Sequence, residues 1–297
     1  MPNTDDQHVT GPRTPDPGPR TQLARSGGGR LRIERVDGAS AATVWQATEP
    51  LKLMLPRPRG AAVWACAATY GGGLVAGDSV SLDLDVGADA ALFIGTQATT
   101  KVYRSTGATA RQSITVRVAP GGLLASLPEP VSCFAGSRYA QRVELHLADG
   151  ASLAWLDTVS AGRIARGERW DLASYASRTD LLRQDRLVLS DRLRLDPAHP
   201  LDARFGDHVA VAGLILAGPH CAAAITAAAT LAQQHRPGSD GLSLTASPLG
   251  ADGLLLRLAA VDLEVLARTL RSVIAPLSGP LDGDPWRRLA SVETPCI

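Results

Sequence analysis

The chain has 297 residues, 45% of them hydrophobic, and a formal net charge of +1. It is long enough to bury a sizeable core, and its near-neutral balance, with no basic cluster, excludes an electrostatic nucleic-acid binder. No apolar run reaches the roughly 18 residues of a membrane-spanning helix. The proline-rich start lacks the apolar stretch of a signal peptide, and Cys66, Cys133, Cys221 and Cys296 are too widely spaced for a zinc site or a disulfide framework. A cytoplasmic protein with reduced thiols is the expectation.

Residues 1–26 hold almost nothing a core can use, which predicts a disordered tail. A single β-rich domain is expected over 27–278 and a flexible polar tail over 279–297. Leu31, Ile33 and Val36 mark a first strand, and Trp45 to Leu55 a strand pair that Pro56 and Pro58 interrupt. The stretch from Gly71 to Ser105, GGGLVAGDSVSLDLDVGADAALFIGTQATTKVYRS, is the least generic. Its leading glycines run into strand periodicity instead of opening a helix, so they read as a turn with positive φ or close backbone approach, not as a phosphate cradle. From Ser79 to Val86 apolar residues alternate with Ser79, Ser81, Asp83 and Asp85, a half-buried strand. A second strand from Ala91 to Gly95 ends in the polar run Thr96 to Ser105. That run contains Lys101, one of two lysines against 28 arginines, a hint that a flexible point charge is wanted there.

Strand, glycine turn and strand then recur. Aligning Ala90, Gly122 and Ala151 gives spacings of 32 and 29 residues. Three such units predict stacked coils that bury their apolar faces on one another, a mainly β, β-solenoid (β-helix-like) architecture. Leu187 to Leu195 and Val209 to Leu216 continue the strands. Alanine-rich Ala222 to Gln234 predicts a helix, Leu242 to Ala246 and Gly253 to Ala259 two strands, and Asp262 caps a last helix with a stripe of Leu263, Leu266, Leu270, Val273 and Ile274.

A catalytic constellation is hard to assemble. The six histidines have no metal-ligand spacing, and no nucleophile elbow or phosphate loop occurs. Asp83 and Asp85 pair on one strand face, and Glu168 stands among arginines, either as a structural ion pair or as a functional acid.

At GGGLVAGD followed by TQATTKVYRS the sequence resembles the urease accessory protein family UreD, called UreH in some bacteria. Leu127-Pro128-Glu129-Pro130-Val131, Phe134-Ala135-Gly136-Ser137-Arg138-Tyr139, Ala161-Gly162-Arg163, Arg166-Gly167-Glu168 and Gln184-Asp185-Arg186 follow in the family's order, so the resemblance covers residues 28 to 275. From Gly279 the chain departs from the family's Pro-Arg-aromatic ending, to which Asp284-Pro285-Trp286-Arg287-Arg288 is the nearest approach. The resemblance implies a non-enzymatic maturation scaffold, a chaperone of metallocentre assembly. It would dock on apo-urease subunits and recruit an adaptor (UreF) and a nickel-carrying GTPase (UreG), with no tightly bound cofactor and with nickel in transit. No nickel ligand is assigned. Asp78 and Glu168 are the expected residues of a metal route, and Thr96, Gln97, Lys101, Tyr103 and Arg104 those that orient neighbouring strands or meet a partner. Neither nucleic acid nor membrane is an expected partner. Two readings stay open beside this one: an all-β hydrolase using Asp83, Asp85 or Glu168, and a β-solenoid interaction module of another assembly.

Overall fold

The computed structural model describes residues 24–56, 60–236, 238 and 240–286. Most of the expected N-terminal tail, Cys296 and the Arg287-Arg288 pair therefore lie outside the described residues. In chain order the strands are β1 (Ser26–Val36), β2 (Ala39–Ala47), β3 (Leu51–Met54), β4 (Val63–Thr69), β5 (Gly73–Leu74), β6 (Ser79–Val86), β7 (Ala91–Thr96), β8 (Thr100–Val102), β9 (Ala110–Val118), β10 (Leu123–Ser126), β11 (Val131–Cys133), β12 (Arg138–Leu147), β13 (Ser152–Ser160), β14 (Ser174–Arg183) and β15 (Arg186–Leu195). Helix α1 (Leu201–Phe205), β16 (Ala210–Ala217), α2 (Ala222–Gln234), β17 (Leu242–Pro248), β18 (Gly253–Ala260) and α3 (Leu263–Ile274) follow.

The protein is mainly β, and its centre is a stack of coils. β6–β7, β9–β10 and β12–β13 each pass from one sheet to the other through a glycine-containing turn, and equivalent strands pair in parallel. Leu123 pairs with Ala91 and with Ser152, offsets of 32 and 29 residues that match the sequence repeat. One sheet has the order β15-β14-β12-β9-β6-β1-β2 and the other β17-β18-β16-β13-β10-β7-β4-β3, with β11, β8 and β5 continuing it.

Alternation decides what lies between the sheets. Val80, Leu82, Leu84 and Val86 of β6 point inward with Val116, Val143 and Leu145 to meet Leu92, Ile94 and Leu153 from the facing sheet. The opposite face of that second sheet presents Trp64, Phe93, Ala125, Leu156 and Leu214 to α2 and α3, a second core. Asp262 caps α3 by accepting from the Glu264 amide at 2.7 Å, and Leu266, Leu270, Val273 and Ile274 form its buried stripe. Leu263, expected in that stripe, is exposed.

Two further expectations change. A third helix, α1, precedes the two foreseen; its five residues are too few for a 3.6-residue period to show. Gly279 to Trp286, assigned from sequence to a flexible tail, packs on β4. Leu281 is fully buried, its carbonyl accepts from Trp64 Nε1 at 3.0 Å, and Asp282 accepts from the Ala61 amide at 2.6 Å.

Candidate functional site

The signature segments are interruptions of strands. Gln97-Ala98-Thr99 separates β7 from β8, and Leu127-Pro128-Glu129-Pro130 separates β10 from β11, one coil above the other. Prolines cannot donate to a ladder, and the two interruptions are stapled instead by the Glu129 amide donating to Thr96 Oγ1 at 2.8 Å. Broken ladders leave space. Thr96, Gln97, Thr100, Lys101 and Gln112 line a cavity of about 160 Å³, and Thr96, Thr100, Gln112, Glu129, Gln141 and Asp157 a second of about 70 Å³.

Beyond the interruptions the coil ends stack. Tyr103 follows β8 and meets Phe134, which follows β11, edge to face at 5.5 Å between ring centroids. Arg163, from the turn after β13, lies over the Phe134 ring at 4.4 Å, a cation–π contact. Glu168 holds that arginine with both carboxylate oxygens and also accepts from the Ala135 amide at 3.1 Å. The Arg163 hydrogen bonds hold the Glu168 carboxyl below the usual carboxylate range, with the Ala135 amide adding to the effect. Arg104 bridges to Ser137, and Lys101 and Arg104 are exposed. Tyr103, Arg104 and Glu168 are thus one assembly at one end of the stack.

Asp78 is held by a different set of contacts. It is 0% exposed, and its two carboxylate oxygens accept from the backbone amides of Arg25, at 2.8 Å, and Val75, at 3.0 Å. It ties the entry of β1 to the glycine turn. In that turn Gly71, Gly72 and Gly77 have positive φ, while Gly73 allows close approach: a Cβ there would lie 2.4 Å from the Lys101 carbonyl oxygen.

Sequence reasoning missed a polar row between the sheets. Tyr139 donates to Gln112 Oε1 or Gln141 Oε1, at 2.8 and 2.9 Å, Gln141 Nε2 donates to Asp157 at 3.2 Å, and Ser177 Oγ donates to the same Asp157 oxygen at 2.8 Å. Asp157 is surrounded by protein, yet part of its surface stays open to the cavities it lines. Enclosure raises its pKa, the Asp191 charge adds to this, and the bonds from Ser177 and Gln141 offset part of it. Burial likewise pushes the Tyr139 and Tyr175 hydroxyls upward. A third cavity, about 100 Å³, continues past Asp157 and Trp155 to Ser177, Asp191 and Arg257. The second and third cavities share Trp155 and Asp157, and the first and second share Thr96, Thr100 and Gln112.

The acids of the hydrolase reading do not converge. Asp83 and Asp85 lie on the outer face of the seven-stranded sheet, where Asp85 pairs with Arg30, Arg32 and Arg117 at 3.3 to 3.9 Å. Asp85 lines an open groove of about 730 Å³ whose walls include Gln184 and Asp185 but no residue from Thr96 to Ser105. Among the described residues no three His, Cys, Asp or Glu side chains are grouped to hold a metal, and no helix is long and apolar enough to cross a membrane. Cys133 and Cys221 are buried, their thiols pushed up to about 12 by desolvation, and the Cys66 thiol is pushed up to about 11 by the same cause.

The family model described as UreD urease accessory protein matches residues 25–289. The chain belongs to the UreD family. The UreD urease accessory protein of Anaeromyxobacter sp. (strain Fw109-5) is 45% identical over 278 residues, covering 91% of this chain and 92% of the relative. That of Sorangium cellulosum is 45% identical over 269 residues, covering 90% and 85%. Urease accessory protein D of rice (Oryza sativa subsp. indica) is 36% identical over 198 residues, 64% of this chain and 65% of the relative. The role is that of a urease accessory protein.

Proposed function

We propose that this UreD-family chain is a non-enzymatic scaffold that docks on apo-urease, recruits a UreF-type adaptor and a UreG-type GTPase, and gives nickel an internal path toward the urease site. The observation that carries this reading is the series of three cavities with shared walls between the sheets, lined in part by Gln112, Gln141, Asp157 and Ser177, with Tyr139 hydrogen-bonded to the two glutamines. Amides, hydroxyls and the carboxylates of Glu129, Asp157 and Asp191 are hard donors, and no three acids, histidines or cysteines among the described residues are grouped to hold a metal, so a nickel ion passing them is held weakly and released readily. Nickel is cargo here and no resident cofactor is invoked. The exposed end formed by Lys101, Tyr103, Arg104 and the Phe134–Arg163 stack supplies a rigid surface with aromatic and cationic groups, the residue types that anchor protein interfaces.

Within this reading Glu168 fixes the docking end instead of lining the path, since both its oxygens are engaged by Arg163 and Ala135. Asp157 takes the place along the path that the sequence assigned to Asp78. The test is co-expression of the tagged chain with urease subunits and the two accessory partners, followed by metal analysis of the recovered urease. Recovery of the assembly, with nickel in urease only when the chain is present and much less with Asp157→Asn, is the expected result. An assembly that forms and loads nickel equally well with Asp157→Asn, and with Gln141→Leu, removes the internal path.

A further inference from the structure

We infer that Arg257 governs the passage of cations at the outer end of the polar row, as a permanently charged plug over a gap left by Gly213. The inference rests on the nickel-path reading above. Asp157 pairs across the ladder with Gly213, and Gly213 with Arg257, so β13, β16 and β18 place the three in one cross-strand row. Partners in such a row share a face of the sheet, here the face turned toward the seven-stranded sheet, where all three line the third cavity. The middle position has no side chain, which leaves an opening between a carboxylate and a guanidinium.

Asp191 reaches over that opening from the facing sheet. A Cβ added to Gly213 would come 3.6 Å from Asp191 Oδ2, and the other Asp191 oxygen accepts from Arg257 Nη2. β15, which carries Asp191, is the last strand of its sheet, so this ion pair spans a seam that no strand pairing closes. Behind it lie Asp157 and Trp155, whose buried Nε1 has no hydrogen-bond partner among the described residues.

The chemistry suits a plug that opens by competition. A guanidinium keeps its charge at any physiological pH, so it repels a divalent cation approaching Asp157 whatever the proton concentration. The pair is accessible, with side-chain exposures of 49% for Arg257 and 27% for Asp191, and exposed pairs of this kind hold weakly. An acidic group offered by a docked partner can draw Arg257 away and leave Asp191 and Asp157 facing the opening together. In the free chain the arginine keeps stray cations out; in the assembly its removal lets the cargo through.

The test uses the full chain and the Trp155 indole as reporter, taken as the fluorescence component that Trp155→Phe removes. Arg257→Met keeps the aliphatic bulk and deletes the charge. It is expected to raise quenching of that component by aqueous Ni2+ about tenfold, the scale of removing one like charge close to the path of a dication. Adding Gly213→Leu to Arg257→Met is expected to restore the lower quenching, because the new side chain fills the opening and its Cβ starts from an ordinary contact distance. Circular dichroism establishes that each variant is folded; should Arg257→Met fail, Arg257→Gln, with a neutral donor for Asp191, carries the same comparison. Equal Ni2+ quenching in the parent and the folded charge-deleted variant overturns the proposal. Failure of the path reading looks different: Asp157→Asn would then leave nickel loading of co-expressed urease unchanged while quenching still responded to Arg257.

Discussion

Replacing Asp78 by alanine separates a structural tie from a step on a metal route. Its carboxylate receives the Arg25 and Val75 amides at 2.8 and 3.0 Å in a site with no exposure. Alanine leaves both amides without an acceptor, at about 1–2 kcal/mol each for donors that are only partly enclosed, or about 2–4 kcal/mol in all. For a domain of this size each kcal/mol moves the thermal midpoint by about 2–4 °C, so Asp78→Ala should melt roughly 5–15 °C lower. Asparagine rescues little, since its one oxygen can serve one amide while its NH2 faces the other. The assay pairs a thermal melt of the purified variant with the nickel content of co-expressed urease, at a temperature well below both midpoints. Loss of loading beside an unchanged midpoint would refute the structural assignment and return Asp78 to the route.

Asp157→Asn should do the opposite, raising the midpoint near neutrality while lowering nickel loading. The folded pKa of Asp157 lies above its unfolded value, so the folded state binds the extra proton and wild-type stability falls as pH rises above about 4, the ordinary aspartate range. The gap between variant and wild type should therefore open above that pH and close below it in melts run across the acid range. Gly73→Ala drives a Cβ to 2.4 Å from the Lys101 carbonyl oxygen and should cost about 2–3 kcal/mol in a denaturant titration. Lys101→Ala with Arg104→Ala, both at exposed positions, should leave the melt unchanged but weaken capture of the adaptor at low salt, the difference from the parent narrowing as salt is raised and screens the lost charges.

The sequence made the stack legible because its signal is local. Strict alternation in β6, β9 and β12 names the inward residues, and the 32- and 29-residue spacings reappear as ladder offsets. The polar row was illegible because each member is a single departure on a different strand. Gln112 precedes Ile114, Val116 and Val118 at inward parity, but the neighbouring Arg111, Gln112 and Ser113 make it read as the polar start of a strand. Asp157 offered the better clue, a lone carboxylate in the run Ser152 to Ser160 where both faces are buried. A charge placed there is largely enclosed, and the two ways of tolerating it are hydrogen-bond partners and a raised pKa; both are found. Glu168 was legible as an ion pair but not its partner, since Arg163 comes round through the short turn Ile164–Arg166 while the adjacent Arg169 bonds to the Gly206 and His208 carbonyls.

Stacked coils also explain why residues far apart in sequence serve one place. Each coil repeats the same path, so an interruption at the same point of successive coils piles up into one column: Gln97 to Thr99 on Pro128 to Pro130, and then Tyr103 on Phe134 with Arg163 above it. Continuous strands at these positions would fill the space with ladder and aliphatic side chains. Breaking two neighbouring coils together forfeits ladder hydrogen bonds, and the Thr96–Glu129 staple recovers part of that loss while keeping the cavity walls apart. Thr96→Val, which keeps the shape and removes the acceptor, therefore isolates the purpose of the staple. If the interruptions exist to hold a passage open, the variant should lose nickel loading out of proportion to the about 1–2 kcal/mol a melt registers. Should loading fall only as far as stability does, the column is a packing solution and the passage does not depend on it.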